Sequence, residues 1–384
     1  MTKENRKKKL HKIFRRMLSV TTALSVILLL SACGSDFEGH VDTDVDYGKT
    51  SASDENSSNG HRIGVAMPTK DLQRWVQDGE NMEASLQKAG YTVDLQYANN
   101  DAAIQNEQVK GMVEEDCEII VVAAIDSAPL AESMSLAKEA GIPVFAYDRL
   151  IMNSDAVTYY ATFDNQLVGT LQGQYIEEAL DLKNTDGPYN IELFTGDPGD
   201  NNCNFFFGGA MQVLQPYIDA GKLVVPSGQL TQAECSTESW STVKAKNRMN
   251  SILNTYYADG KKLDAVLSSN DSVANGITEA VQENYKGDFP VLTGQDCDIN
   301  SVKYILDGKQ SMSIFKDTRI LADKVVEMIE AMINGTEIPI NDTTSYDNGT
   351  GIIPSFLCEP VFADKSNYKE LLLDSGYYTE DQLK

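Results

Sequence analysis

Histidine is scarce in this 384-residue chain: there are three, and His11 lies in a basic N-terminal run. A metal centre built on imidazoles is therefore not expected. The six cysteines include no CxxC and no zinc-finger spacing, so thiolates supply no ligand set either. Neither GxGxxG nor GxxxxGK[ST] occurs, and Gly208-Gly209 falls inside a helical stretch, so nucleotide binding is disfavoured and no cofactor is implied. After residue 32 no apolar run is long enough to cross a bilayer. Carboxylates are plentiful, yet no acid–base pair and no nucleophile with its base can be singled out, so an enzyme is not expected. Basic residues are outnumbered, 32 against 57 acidic ones, and the net charge of −25 repels nucleic acid.

What is present begins with a targeting segment. Lys3, Arg6, Lys7, Lys8, Lys9, Lys12, Arg15 and Arg16 precede an apolar stretch over 17–30 that ends in Leu30-Ser31-Ala32-Cys33. A cysteine directly after small residues resembles the lipobox of bacterial lipoproteins. That resemblance implies cleavage before Cys33 and a diacylglyceryl group on its thiol, which would hold the chain on the outer face of the cell membrane. Loss of residues 1–32 removes eight basic side chains and one acidic one, taking the charge from −25 to −32. Residues 33–60 are rich in Ser, Asp, Gly and Asn, and read as a disordered tether. Within it, residues 42–48 look briefly like a calcium loop, but the glycine is one place late and Ser53 stands where a bidentate Glu belongs. Cys117, Cys203, Cys235, Cys297 and Cys358 remain, and the sequence assigns no disulfide among them.

From residue 61 onward, short apolar runs alternate with amphipathic stretches. Strands are predicted over 61–67, 91–98, 118–125, 144–147, 158–163, 189–196, 222–226, 263–269, 289–294 and 311–315. Helices are predicted over 71–89, 102–115, 129–140, 166–180, 204–220, 240–257, 273–283, 299–306 and 319–333, the third opening on Pro129. The run Ile119-Ile120-Val121-Val122-Ala123-Ala124-Ile125 has no polar face, as suits a parallel sheet buried on both sides. Such alternation means α/β architecture, and there are strands enough for two doubly wound sheets.

In open parallel sheets ligands bind beyond the carboxyl ends of the strands. Those ends carry Lys70, Arg74 and Trp75, then Asp126, then Asp148-Arg149, Asn201-Asn202, Asn270-Asp271, Asp296 and Lys316, with Trp240 opening a later helix. Each has an ordinary alternative. Asp148-Arg149 could be a surface pair, Asn201-Asn202 and Asn270-Asp271 helix caps, Trp75 and Trp240 core, and Lys316 a solvated charge. Their coincidence at one rim points instead to a polyhydroxylated ligand. Carboxylate, amide and guanidinium groups match hydroxyls that both donate and accept, and indole faces match C–H surfaces.

Met67-Pro68-Thr69-Lys70, Arg74-Trp75, the run 146–150, the run 159–165, Asp200-Asn201-Asn202, Gly294-Gln295-Asp296, the run 314–319 and Gly376-Tyr377-Tyr378 resemble the multiple-monosaccharide-binding (ChvE-like) receptors of sugar ABC importers. The xylose-, ribose- and galactose-binding proteins are more distant relatives. The resemblance implies a type I periplasmic-binding-protein fold, with two lobes joined by a three-segment hinge near Phe163, Lys316 and Pro354. Residues 61–162 and 317–353 would form one lobe, and 163–316 with 354–384 the other. It implies that Arg74, Asp148, Arg149, Asn202, Asn270, Asp296 and Lys316 hold sugar hydroxyls, while Trp240 and Trp75 wall the ring. One departure weakens transfer of sugar preference: Asn270 stands where ChvE-like members have Tyr. The implied partners are a pentose or hexose and the permease subunits of an importer, with the receptor a monomer. An alternative is presentation of the sugar to a membrane sensor kinase.

Overall fold

The computed structural model describes residues 60–126 and 130–384. The leader, Cys33, the tether with its calcium-like stretch, and Pro129 lie outside those residues.

Runs without a polar face become strands buried on both sides. In β3 (Ile119–Val122), Ile119 and Val121 enter one core, and Ile120 and Val122 another. The same period of two divides β4 (Val144–Tyr147), where Phe145 and Tyr147 face one way and Val144 and Ala146 the other. With β1 (Arg62–Met67), β2 (Thr92–Tyr97), β5 (Val157–Phe163) and β11 (Ser355–Cys358) they form a six-stranded parallel sheet, ordered β11-β5-β4-β3-β1-β2. Helices α1 (Gln73–Lys88) and α9 (Thr318–Asn334) pack on one face, and α2 (Ala102–Glu114) and α3 (Ala131–Ala140) on the other.

A second parallel sheet, ordered β7-β6-β8-β9, comprises β6 (Tyr189–Phe194), β7 (Leu223–Val224), β8 (Ala265–Ser268) and β9 (Val291–Leu292). A parallel bridge from Gln295 to Ile314 attaches β10 (Met312–Phe315), which pairs antiparallel with β12 (Val361–Asp364). Its helices are α4 (Asn165–Ala179), α5 (Asn202–Asp219), α6 (Thr242–Tyr256), α7 (Asp271–Asn284) and α8 (Ile299–Asp307). Helices α4 and α5 nearly touch: a Cβ on Gly169 would stand 1.9 Å from the Phe206 carbonyl oxygen.

The chain passes between the lobes after β5, after β10 and after β11. The third passage was expected near Pro354. Instead Ser355–Cys358 still pairs with Tyr160–Phe163 of the first sheet, so the crossing falls at Glu359-Pro360. The strands predicted over 222–226 and 289–294 shrink to two residues each, Leu223–Val224 and Val291–Leu292, with Pro226 and Pro290, which carry no ladder donor, left outside them. All five cysteines of the described residues are buried free thiols.

Candidate functional site

Strand ends of both lobes converge on one cavity of about 410 Å3 including its mouth. Only about 30 Å3 of it is open to the centre of a water-sized sphere, so the lining side chains nearly fill it. Arg74 and Trp75 reach it from the first turn of α1. Asp148 and Arg149 arrive directly after β4. Asp200, Asn202 and Phe206 come from the start of α5, Asn270 and Ser272 from the start of α7, Gln295, Asp296 and Asp298 from the loop after β9, and Lys316 from the end of β10.

Arg74 is the central cation. It donates to Asp78 one turn along its own helix (2.8 Å), to Asp148 of the same lobe (2.5 Å), and across the cleft to Asp296 (3.3 Å). Lys316, itself buried, lies 3.2 Å from Asp296 and 3.7 Å from Asp148. Burial alone would push the Asp148 carboxyl up. Arg74, then Lys316 and Arg149, outweigh burial and hold it below the ordinary carboxylate range. Arg149 pairs with Asp200 at 2.8 Å and donates to the carbonyls of Ala124 and Ile125, which close off the end of β3. Both guanidiniums stack on Trp75, each with its carbon 5.0 Å from the indole centroid.

Asp148 has φ of 58°, a left-handed conformation that aspartate tolerates better than most residues. The turn it makes presents its carbonyl oxygen to three donors: Tyr160 Oη (2.6 Å), Thr162 Oγ1 (3.0 Å) and, from the other lobe, Asn202 Nδ2 (2.8 Å). Asn202 thus spends its amide on fixing Asp148 across the cleft.

Trp240 lies flat on Gly196. A Cβ there would sit 2.1 Å from the indole Cη2, so only glycine lets the ring lie this close to the backbone. Phe206 meets the indole edge-on, with centroids 6.4 Å apart, and Lys316 stands 5.9 Å over the Phe206 ring. Apart from Arg149 Nε, which faces Asp200 at 2.8 Å, three lining atoms are buried without a hydrogen-bond partner among the described residues: Trp240 Nε1, Gln295 Oε1 and Asp298 Oδ1. Buried polar atoms are rarely left so, and these would be satisfied by a ligand carrying both donors and acceptors.

Nine of the thirteen positions singled out from the sequence line this cavity: Arg74, Trp75, Asp148, Arg149, Asn202, Trp240, Asn270, Asp296 and Lys316. Four do not. Lys70 is exposed and lies over the Tyr97 ring at 4.7 Å. Asp126 faces the turn at Gly199, where an added Cβ would be 3.2 Å from its Cγ. Asn201 precedes α5 without capping it by its side chain; Asp200 instead accepts from the Asn202 amide. Asp271 is wholly buried behind the cavity, accepting from Gln310, Ser313 and the Asp298 amide. Trp240 does not open a helix either: it closes a 3-10 turn, Glu238–Trp240, and α6 begins at Thr242, capped by Ser241. Asn270 both lines the cavity and caps α7 through Val273 N.

Leu72, Asp200, Phe206, Ser272, Gln295 and Asp298 line the cavity without having been named as site residues, although Asp200 and Gln295 stand in the motifs that carry the resemblance. Phe206 lies four residues after Asn202, on the same face of α5, and was legible from that spacing.

Residues 63–337 match the family described as periplasmic binding protein domain. The chain is 48% identical over 326 residues to the multiple sugar-binding periplasmic protein SbpA of Azospirillum brasilense, covering 84% of this chain and 91% of that one. It is equally similar, 48% over 326 residues, to the multiple sugar-binding periplasmic receptor ChvE of Rhizobium radiobacter, covering 84% of this chain and 92% of that one. Among solved structures, an ABC transporter solute-binding protein from Clostridium phytofermentans with bound β-D-glucose is 63% identical, with a TM-score of 0.83, over 84% of this chain and all of that one.

Proposed function

The chain belongs to the periplasmic binding protein family, and from that premise we propose that it is the extracytoplasmic receptor of a sugar ABC importer. It captures a monosaccharide between its lobes and delivers it to the permease, without chemical turnover. The observation that carries this reading is a cavity in which fixed polar groups from both lobes surround one indole wall. Arg74, Asp148, Arg149, Asn270, Asp296 and Lys316 would hold hydroxyls. Trp240 would pack on the C–H face of the ring, with Trp75 bracing the two guanidiniums. Since the three lining cations each already pair with a carboxylate, and burial pushes the remaining carboxyl, Asp298, toward its neutral form, the pocket favours a neutral, hydroxyl-rich ligand. A relative at 63% identity holds β-D-glucose, so D-glucose leads the pentoses and hexoses to be tried.

A thermal-shift screen of the mature chain against D-glucose, D-galactose, D-xylose and other monosaccharides tests this. A ligand at a hundredfold its Kd adds about 2.7 kcal/mol, which moves the melting midpoint by several degrees. A flat response to every monosaccharide would sink the receptor reading. The protein would act as a monomer on the outer face of the membrane, held by lipid on Cys33. Cys33→Ser should then shift it from the membrane fraction to the medium; unchanged partition would remove the anchor.

A further inference from the structure

Beyond the cavity, α1 carries Gln73, Gln77 and Asn81 at intervals of four, which places them on one face of the helix. That face meets the second lobe and the hinge. Gln73 uses both ends of its amide there: Nε2 donates to Tyr378 Oη at 2.6 Å, and Oε1 accepts from Ile299 N at 3.2 Å. Gln77 Nε2 lies 3.3 Å from the same Tyr378 oxygen, and Gln77 Oε1 accepts from Tyr377 Oη at 3.3 Å. Asn81 Nδ2 donates to Thr318 Oγ1 at 2.8 Å, and that oxygen contacts Tyr377 Oη at 3.2 Å.

The tail tyrosines are anchored in the second lobe. Tyr378 is buried with Cys297, Val302, Phe315 and Leu372, and its hydroxyl donates to the Cys297 carbonyl at 3.0 Å. Cys297 and Ile299 flank Asp298, which lines the cavity, and follow Asp296, which Arg74 and Lys316 hold. The segment that meets the ligand on its inner side is therefore gripped on its outer side by Gln73 and Tyr378.

We propose that Gln73, Gln77 and the C-terminal tyrosines Tyr377 and Tyr378 form a closure latch that sets how long the ligand is retained. This rests on the receptor reading above. Bonds between α1 and the tail join different lobes, so they form as the cleft closes and break as it opens. A bond present only in the closed state raises the closed population, and the apparent affinity with it, in proportion. Among the described residues both side-chain bonds of Gln73 run to the second lobe, so its loss removes no side-chain bond within either lobe. It is a positioning residue and touches no part of the cavity.

The test is stopped-flow binding of D-glucose, or of whichever monosaccharide the screen selects, to the full mature chain. Gln73→Ala should speed dissociation by roughly threefold to tenfold per lost bond, leaving association and the sugar-free melting midpoint unchanged. Tyr378→Phe should speed dissociation likewise, but it also removes the bond to the Cys297 carbonyl within the second lobe and should lower the sugar-free midpoint as well. The two changes together should speed dissociation by less than the product of their separate effects. Dissociation rates equal to wild type in both variants overturn the latch, as does an effect confined to the sugar-free melting midpoint. A wild-type chain that binds no monosaccharide overturns the receptor reading and the latch with it, whereas a binding wild type with unaltered variants overturns the latch alone.

Discussion

Asp148→Ala should abolish the sugar-dependent rise in melting midpoint and also weaken the sugar-free protein. The side chain is 5% exposed and sits between Arg74 at 2.5 Å and Lys316 at 3.7 Å. Taking away one partner of a buried ion pair leaves charge without compensation, at a cost of about 3–5 kcal/mol. Here the cost falls toward the lower end, because Arg74 keeps Asp78 and Asp296, and Lys316 keeps Asp296. The functional loss is larger than the structural one. Without Asp148 the two cations move toward Asp296, on the second lobe, and the first lobe no longer presents a carboxylate to the ligand. Asp148→Asn separates the two effects, since it keeps the shape and one acceptor. Urea unfolding without sugar reads the first effect, and thermal shift with sugar reads the second. An Asp148→Ala protein that keeps the full sugar-dependent shift would remove Asp148 from the binding site.

Much of this arrangement was legible in the sequence, for reasons that can be stated residue by residue. Ile119 to Val122 carries no polar side chain, so the strand had to be buried on both faces and its sheet had to be parallel. Once the strands were placed, Asp148, Asn270, Asp296 and Lys316 followed as what stood at their ends. Asp271 shows where that rule stops. It lies one residue past Asn270, but as the first residue of α7 its side chain turns back toward Gln310 and Ser313 rather than into the cleft. The strand Ser355–Cys358 escaped notice because the five residues between Pro354 and Pro360 show too little periodicity to be told from a loop, and its place is set by pairing with β5. The latch was invisible for a related reason. Gln73 and Tyr378 are 305 residues apart, and nothing local to either announces the other.

A second large effect concerns pH and the carboxylates behind the cavity. Four aspartates line the cavity, Asp148, Asp200, Asp296 and Asp298, against three cations, Arg74, Arg149 and Lys316. The first three each have an ion-pair partner. Asp298 has none among the described residues, and its Oδ1 is buried without a donor. Around it stand Asp296, Asp271, whose carboxylate accepts from the Asp298 amide, Arg74, Lys316 and the hydroxyl of Tyr378. Burial pushes the Asp298 carboxyl up from 3.8 to about 7. Asp296 adds to the rise, and Arg74 and Lys316 oppose it. Below pH 4 the carboxyl is protonated in both folded and unfolded chains. Between about 4 and 7 the unfolded chain has released this proton while the folded protein keeps it, so raising the pH favours unfolding. Above 7 both forms are ionised and the loss levels off. Across that window Asp298 and the Asp271 carboxyl it touches together should remove stability on the order of a few kcal/mol. Asp271, which Asp298 touches, is raised well above the ordinary carboxylate range by burial and then by Asp298 and Asp296, so the two titrate together. Asp78, Asp200 and Glu192 are also raised, chiefly by burial, and all slope the curve the same way. Asp298→Asn should therefore flatten the decline without erasing it, gaining most over wild type at pH 8 and least near pH 4. Urea unfolding of both proteins from pH 4 to pH 8 measures the difference directly. Parallel stability curves over that range would mean that Asp298 is ionised throughout, and that its excess negative charge is met by groups other than a proton.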